Sequence, residues 1–331
     1  MSLTTIPSHR PPFGEPVSPE ALAETRAFNA QLSRLLAAQP SMHTLPPALV
    51  RQARREGRGP FPPPVFLPQA RDLVIRGRGG DLRLRVLAPA GAVKGVYLHF
   101  HGGGWTIGDA DMQDPALQAL AEATGLCAVS VGYRLAPEHP YPAALDDCED
   151  AARWLLDGGA AELGAAGPAS RLTLGGESAG AHLAAVTLLR LRDRHGVHGA
   201  FQAANLVFGA FDLSRSPSSR RWDRDLILSD AVIRFFGEAF LPGFDGEAQR
   251  APDVSPLYAD LRDMPPALFT VGTLDPLLDD SLFMDARWRA AGAHAELRVW
   301  PECIHGFTGF PLAMARAATA AQHAFLAAAV G

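Results

Sequence analysis

The stretch LTLGGESAGAHLAAV, from Leu172 to Val186, decides the fold of this chain. Its apolar start, Leu172–Gly176, predicts a strand, its middle carries the pattern G-x-S-x-G at Gly176–Gly180, and its end predicts a helix. A serine on so sharp a turn needs small neighbours, and the two glycines supply them. The alternative is a serine that only caps the helix, but the strand, turn and helix context favours an exposed, reactive Ser178.

Similar apolar runs alternate with helical patterns on both sides of this stretch. The predicted strands are Val96–Phe100, Leu126–Tyr133, Leu172–Gly176, Asn205–Phe211, Ala267–Gly272 and Ala295–Trp300, after a predicted hairpin of Asp72–Gly77 and Leu82–Pro89. The predicted helices between them are Pro115–Thr124, Ala143–Leu156, Ala179–Arg192 and Leu277–Ala290. Strands buried on both faces and joined by helices indicate an α/β protein with a mostly parallel central sheet of about eight strands.

Two segments lie outside this alternation. Before it, helices are predicted at Ser18–Ala38 and Pro46–Arg55, and the proline-rich stretch at residues 60–68 separates them from the rest of the chain. Within it, Ser214–Gly246 is too long for a crossover loop and contains a predicted helix at Ser229–Phe240. We therefore expect an N-terminal helical part at residues 1–58 and a core at 59–331 with an insertion at about 214–246.

Composition restricts the classes of function. The chain has 331 residues, 47% of them hydrophobic and 20% charged, with a formal net charge of -5, and it has no long basic run that would favour nucleic acid. Its three cysteines, Cys127, Cys148 and Cys303, show no metal-ligand spacing and are expected to be buried, reduced thiols. Without an apolar leader or spanning segment, we expect a cytoplasmic location and no stable membrane association.

Two partners for Ser178 follow it in the chain. Asp275 comes just after a predicted strand, and His305 follows the last one. A serine hydroxyl needs a base to remove its proton and a third group to orient that base, and the order Ser, Asp, His is typical of one class of hydrolytic enzyme. Asp279 and Asp280 compete for the acid role, but both fall inside the predicted helix, where a charge near the N-terminus explains them.

The glycines of HFHGGGW, His99 to Trp105, follow a predicted strand. A flexible hinge is one interpretation of three glycines in a row. The other is that their bare backbone N–H groups stabilise an anionic oxygen during acyl transfer, which predicts donors at Gly102 and Gly103 together with Ala179. The downstream Ser, Asp and His favour the second interpretation, and His99 is expected to be structural.

These motifs resemble those of the hormone-sensitive-lipase-like esterases of the α/β-hydrolase fold. The matching segments are HGGGW at His101–Trp105, YRLAPEHPYPAALDD at Tyr133–Asp147, GESAG at Gly176–Gly180, DPLLDD at Asp275–Asp280 and HGF at His305–Phe307. The resemblance implies a carboxylesterase with Ser178 as nucleophile, His305 as base and then acid, and Asp275 as orienter. It also implies an oxyanion hole at Gly102, Gly103 and Ala179, a loop shaped by His101, Gly104 and Trp105, a helical cap, and neither metal nor organic cofactor.

The expected substrates are small esters with short or medium acyl chains, which an apolar, bulky pocket would favour. The phenylalanines that could line such a pocket are Phe61, Phe66, Phe235, Phe236, Phe240 and Phe244. The alternative is that most of them bury the cap against the core. Glu177 stands where the family often has aspartate, and Gly209 and Ala210 stand where proline is frequent. An amidase or formamidase with the same triad is the alternative, and a non-catalytic small-molecule receptor on the same fold is disfavoured because His305 is present. A homodimer is compatible with the sequence.

Overall fold

The computed structural model describes residues 14–165, 171–224 and 226–331 of the chain. Its eight strands are β1 Arg71–Gly77, β2 Gly80–Leu87, β3 Gly95–Phe100, β4 Leu126–Gly132, β5 Arg171–Glu177, β6 Phe201–Val207, β7 Ala267–Leu274 and β8 Ala295–Ile304. Its α-helices are α1 Pro19–Ala37, α2 Pro47–Arg55, α3 Asp114–Thr124, α4 Ala143–Trp154, α5 Ala160–Glu162, α6 Ala179–His195, α7 Pro217–Arg220, α8 Asp230–Phe240, α9 Leu278–Ala290 and α10 Ala313–Val330. A single π-helical stretch, Leu155–Gly159, joins α4 to α5.

The strands form one sheet in the order β1-β2-β4-β3-β5-β6-β7-β8. The first two are antiparallel to each other and β2 is antiparallel to β4, whereas every pair from β4 to β8 is parallel. The mostly parallel α/β architecture predicted from the sequence is therefore confirmed. Because the carboxyl ends of parallel strands meet at one edge, the loops after β3, β5, β7 and β8 lie close together there.

Both faces of the sheet are covered, which explains the continuous apolar runs of its central strands. On one face, Val96, Leu98 and Phe100 of β3 pack in a large core with residues of α4, α6 and α9. On the other, Tyr97 packs in a smaller cluster with residues of α3 and α10. The three cysteines are buried and free, as the sequence predicted.

Several elements differ from the prediction: β8 continues to Ile304, the short helices α5 and α7 were not predicted, and two larger differences concern β6 and α10. The strand predicted at Asn205–Phe211 is wrong at both ends, because β6 begins at Phe201 and ends at Val207. Phe208 has a φ of 36°, which breaks the extended backbone, and its N–H donates to the Thr270 carbonyl oxygen. Helix α10 was not predicted, because its alanine-rich sequence has apolar residues all around and little amphipathic periodicity.

Candidate active site

The turn after β5 holds Ser178 in a strained conformation, with φ 58° and ψ -118°, and its N–H donates to the Val207 carbonyl oxygen. The turn is possible only because Gly176 and Gly180 have no side chains: a Cβ on either would overlap the Phe100 carbonyl oxygen of the neighbouring strand. The G-x-S-x-G pattern is thus explained by close packing of β5 and α6 against β3. Backbone strain of this kind is characteristic of functional positions.

The structure brings together the serine, histidine and aspartate that the sequence predicted. Ser178 Oγ lies 2.9 Å from His305 Nε2, and His305 Nδ1 lies 2.9 and 3.1 Å from the two carboxylate oxygens of Asp275. A carboxylate can only accept, so Nδ1 carries the proton and the bare Nε2 faces the serine hydroxyl. Asp275 also accepts a hydrogen bond of 2.8 Å from the Leu277 N–H, which fixes its orientation.

The loop after β3 passes beside Ser178. Gly103 and Gly104 have φ angles of 119° and 57°, which favour glycine, and a Cβ on Gly104 would overlap the Phe236 ring of α8. In the described part of the chain, no hydrogen bond has the N–H of Gly102, Gly103 or Ala179 as its donor. Ala179 is also the first residue of α6, where the helix dipole favours negative charge.

His101 and Trp105 anchor this loop to the core. His101 Nδ1 donates to the Gly102 carbonyl oxygen, and its ring stacks on Tyr133, whose hydroxyl donates to the His101 carbonyl oxygen. Trp105 Nε1 donates to His182 Nδ1, and its ring stacks on Phe240 of α8. Burial lowers the pKa of His101 to about 4, so its imidazole is neutral at neutral pH.

Several contacts of the site were not foreseen from the sequence. His182 donates from Nε2 to the Val254 carbonyl oxygen and accepts from Trp105, and burial lowers its pKa to about 4. His99 joins Ser130 to Glu177, with His99 Nε2 3.1 Å from the Glu177 carboxylate. Burial would raise the pKa of Glu177, but His99, the Gln113 side chain and His101 together keep that pKa below its usual value.

Asp279 and Asp280, the competitors for the acid role, lie away from His305. Asp279 accepts from the Ser218 N–H, and Asp280 accepts from the N–H groups of Phe211 and Asp212. Neither carboxylate is hydrogen-bonded to His305 in the described residues. The same ranges contain no group of three or more His, Cys, Asp or Glu side chains arranged to hold a metal ion.

A large cavity of about 1740 Å³ opens over Ser178. Its wall includes residues of α2 and of the segment between β6 and β7, among them Val50, Ile227, Leu228 and Phe236. Of the phenylalanines noted in the sequence, Phe61 and Phe236 line it, whereas Phe240 is fully buried against Trp105 and Phe66 is exposed.

Helix α2 is attached to the loop after the glycines by Arg51 and by Arg55, which forms ion pairs with Asp109 and Asp111. Arg51 donates to the carbonyl oxygens of Thr106 and Ala136, each at 2.7 Å, and forms an ion pair with Glu138. The motif at Tyr133–Asp147 contains Ala136 and Glu138, but it does not indicate that Arg51 is their partner, because Arg51 lies 85 residues from Ala136 in the chain.

Comparison with known proteins agrees with this geometry. A family model described as alpha/beta hydrolase fold matches residues 97–309. The carboxylesterase NlhH of Mycobacterium tuberculosis (strain ATCC 25618 / H37Rv) is 36% identical over 278 residues, which cover 82% of this chain and 86% of that protein. A hyperthermophilic esterase from the archaeon Pyrobaculum calidifontis superimposes with a TM-score of 0.82 at 29% identity, covering 96% of this chain and 100% of its own. The crystal structure of EstE5 soaked with p-nitrophenyl butyrate has a TM-score of 0.75 at 25% identity, and the match covers 95% of this chain and 99% of the EstE5 chain.

None of the helices in residues 14–165, 171–224 and 226–331 combines the length and apolar character needed to span a bilayer.

Proposed function

The chain belongs to the hormone-sensitive-lipase-like esterases of the α/β-hydrolase fold and is a carboxylic ester hydrolase, and we propose that it acts through Ser178, His305 and Asp275. The observation that carries the proposal is the continuous hydrogen-bonded chain from Ser178 Oγ through the His305 imidazole to the Asp275 carboxylate. This arrangement supplies a nucleophile, a base and an orienting group in contact with one another.

In the proposed acylation step, Ser178 Oγ attacks the ester carbonyl carbon while His305 Nε2 takes the hydroxyl proton. Asp275 holds the imidazole in the tautomer with a proton on Nδ1 and stabilises the imidazolium that forms. The tetrahedral intermediate collapses when His305 returns the proton to the alcohol oxygen, which leaves as the free alcohol. A water molecule then attacks the acyl-enzyme by the same route and releases the acid.

The negative oxygen of each tetrahedral intermediate would be stabilised by the N–H groups of Gly102, Gly103 and Ala179. Support for this role comes from their position beside Ser178 and from the helix N-terminus at Ala179. His101, Gly104 and Trp105 act indirectly, because they hold the loop and do not touch the reacting atoms. Loss of one oxyanion donor typically lowers kcat about 10²- to 10³-fold.

We assign short or medium acyl chains and aryl or alkyl alcohols as substrates. The cavity wall is largely apolar, and helices α1 and α2 together with the insertion at about 214–246 would form a cap above Ser178. Residues 1–13 of the predicted N-terminal part, 1–58, lie outside the described residues. A panel of p-nitrophenyl esters of increasing chain length tests the assignment. Best activity on long chains at a lipid interface would overturn it. The resemblance to the family's three-glycine loop also implies room for tertiary alcohol groups, and failure to cleave any tertiary-alcohol ester would contradict that part.

The role of Ser178 is tested by a pair of serine variants. Ser178→Ala is expected to lose nearly all ester hydrolysis and all covalent labelling by an organophosphonate. Ser281→Ala removes a buried hydroxyl that has no hydrogen-bond partner in the described residues, so it should keep both activity and labelling. Wild-type turnover in Ser178→Ala, or labelling at another residue of that variant, would refute the assignment.

A further inference from the structure

Part of the cavity is lined by residues of α3 and α10 and by Tyr97 and Asn205 of the sheet, and we call this part the second arm. Leu117 and Leu120 of α3 give it apolar walls, while Glu177 also contributes a polar group. The residues Tyr97, Asn205 and Gln322 are called its polar end.

Two polar atoms at this end have no hydrogen-bond partner among the described residues, although the Asn205 side chain is itself hydrogen-bonded to the Tyr97 hydroxyl. Asn205 is 2% exposed and Gln322 is 8% exposed, yet Asn205 Oδ1 and Gln322 Nε2 make no hydrogen bond to any residue that the structure describes. A buried polar atom without a partner costs about 1–3 kcal/mol, so such atoms are rare and usually have a purpose. Both atoms belong to residues that line the cavity, so a bound molecule could supply what the protein does not.

The missing partner has a definite chemistry. Asn205 Oδ1 needs a donor and Gln322 Nε2 needs an acceptor, and a hydroxyl group serves as both. A carboxylate group on the bound molecule is disfavoured, because Glu177 also lines the cavity and two negative charges would repel each other. Burial would raise the pKa of Glu177, but its contacts, those with His99 included, keep that pKa low, so Glu177 is ionised. His323 also lines the cavity, and burial lowers the pKa of its imidazole, so it offers no positive charge to an anion at neutral pH. An uncharged hydroxyl therefore fits best.

The sheet register gives the distance of this end from the nucleophile. Asn205 pairs with Gly175, which precedes Ser178 by three residues, so the two sites are about 10 Å apart along the strands. An extended chain advances about 1.2 Å per bond, and a hydrogen bond adds about 2.8 Å. In a six-carbon acyl group with a hydroxyl on the last carbon, six bonds separate the ester carbon from the hydroxyl oxygen. Together with one hydrogen bond, such a group spans about 10 Å, the distance between Ser178 and Asn205 along the strands.

We propose that this arm is the acyl subsite and that Asn205 and Gln322 select acyl chains of about six carbons with a terminal hydroxyl group. The inference rests on the proposed role of Ser178 as the nucleophile. Asn205 and Gln322 are specificity-determining residues in this scheme and take no part in bond making. A water molecule that fills the polar end without selecting a substrate is the competing outcome.

Selectivity is measured by kcat/KM for p-nitrophenyl 6-hydroxyhexanoate relative to p-nitrophenyl hexanoate. The wild-type protein should prefer the hydroxylated ester about tenfold, the effect expected of one well-made buried hydrogen-bond pair. Asn205→Leu and Gln322→Met should each reduce the ratio to about one. Equal rates for the two esters in the wild-type protein would overturn the proposal.

A matched control separates the subsite from a general effect on the sheet. Gln202→Leu makes a similar polar-to-apolar change on the same strand, but Gln202 is exposed and bonds only to the Gly199 carbonyl oxygen in the structure, so the tenfold ratio should persist. If Asn205→Leu does not fold, Gln322→Met on α10 still decides the matter. A ratio lost in all three variants would contradict the assignment.

Binding to Ser178→Ala distinguishes failure of the subsite from failure of the proposed mechanism. In an NMR titration, 6-hydroxyhexanamide should bind this variant about tenfold more tightly than hexanamide, and Asn205→Leu on the same background should remove the difference. Equal dissociation constants overturn the subsite, whatever the kinetics show. Selective binding together with normal turnover by Ser178→Ala would instead overturn the nucleophile and leave the subsite standing.

Discussion

Replacing Asp275 by asparagine tests the orienting role with almost no change in shape. In the structure, one carboxylate oxygen of Asp275 accepts from the Leu277 N–H at 2.8 Å, and the other lies 2.9 Å from His305 Nδ1. The asparagine oxygen is expected to keep the first bond, which turns the amide NH₂ towards His305. The imidazole then has to accept at Nδ1 and carry its proton on Nε2.

A protonated Nε2 cannot take the proton of Ser178, so His305 can no longer act as a base, although the positions of the three side chains are expected to change little. A wrong tautomer of this kind costs about 10⁴-fold in kcat in a serine protease, equivalent to about 5.4 kcal/mol of transition-state stabilisation. We expect a similar loss in Asp275→Asn. The unfolding free energy should change by no more than about 1–3 kcal/mol, the cost of one altered buried hydrogen bond.

The assay compares kcat/KM for p-nitrophenyl butyrate in Asp275→Asn and Asp279→Asn, with circular dichroism melts of both. Asp279 lies four residues further on and accepts from the Ser218 N–H without touching His305, so its asparagine variant should keep activity within about twofold. Retention of more than a tenth of the wild-type rate by Asp275→Asn would refute the reasoning. So would a loss of 10³-fold or more in Asp279→Asn.

Three further predictions follow from contacts around the site. Gly180→Ala places a Cβ against the Phe100 carbonyl oxygen and should lower the melting temperature by at least about 3 °C, as measured by calorimetry; an unchanged melt would contradict the close packing. Arg51→Gln removes the bonds that attach α2 to the Thr106 carbonyl oxygen and should raise KM about tenfold with little change in kcat, whereas an unchanged KM would separate α2 from substrate binding. Burial raises the pKa of Asp280 to about 7. Between about pH 4 and 7 the folded protein therefore keeps a proton on this carboxyl group that the unfolded chain has lost. Because of this difference, Asp280 makes the free energy of unfolding fall as the pH rises through that range. Asp280→Asn should flatten this dependence in urea unfolding, and parallel curves for variant and wild type would disprove the shift.

The sequence predicted the reactive end of the molecule better than its interior. Ser178, Asp275 and His305 each follow a strand directly, so parallel strand order alone brings their turns to one edge. The end of β6 was missed because the apolar run continues past Val207 although Phe208 leaves the extended conformation. The Arg51 contacts could not be predicted, since nothing local marks a side chain that bonds to carbonyl oxygens far away in the chain.

Apolar and polar side chains alternate along β3, and the polar ones lie on one face of the strand. A strand buried on both faces should be apolar throughout, and Val96, Leu98 and Phe100 satisfy this on the α6 side. The residues between and after them, Tyr97, His99 and His101, are polar or titratable, and burying such groups is costly unless they have partners. His99 contacts Glu177 and His101 contacts the glycine loop, so this face connects the polar end of the cavity with the surroundings of Ser178.

Because side chains at alternate positions point to the same side of a sheet, these three residues form one row, and Tyr97 and His101 of this row line the cavity. Tyr97 stands at its far end, beside the unpartnered amides, and His101 at its near end, beside Ser178. A purely structural strand would gain stability from apolar residues at all three positions. His99 and His101, however, have partners in Glu177 and the glycine loop, so the structure around Ser178 explains their polarity. Tyr97, at the polar end of the cavity, is the member of the row that the proposed subsite would use.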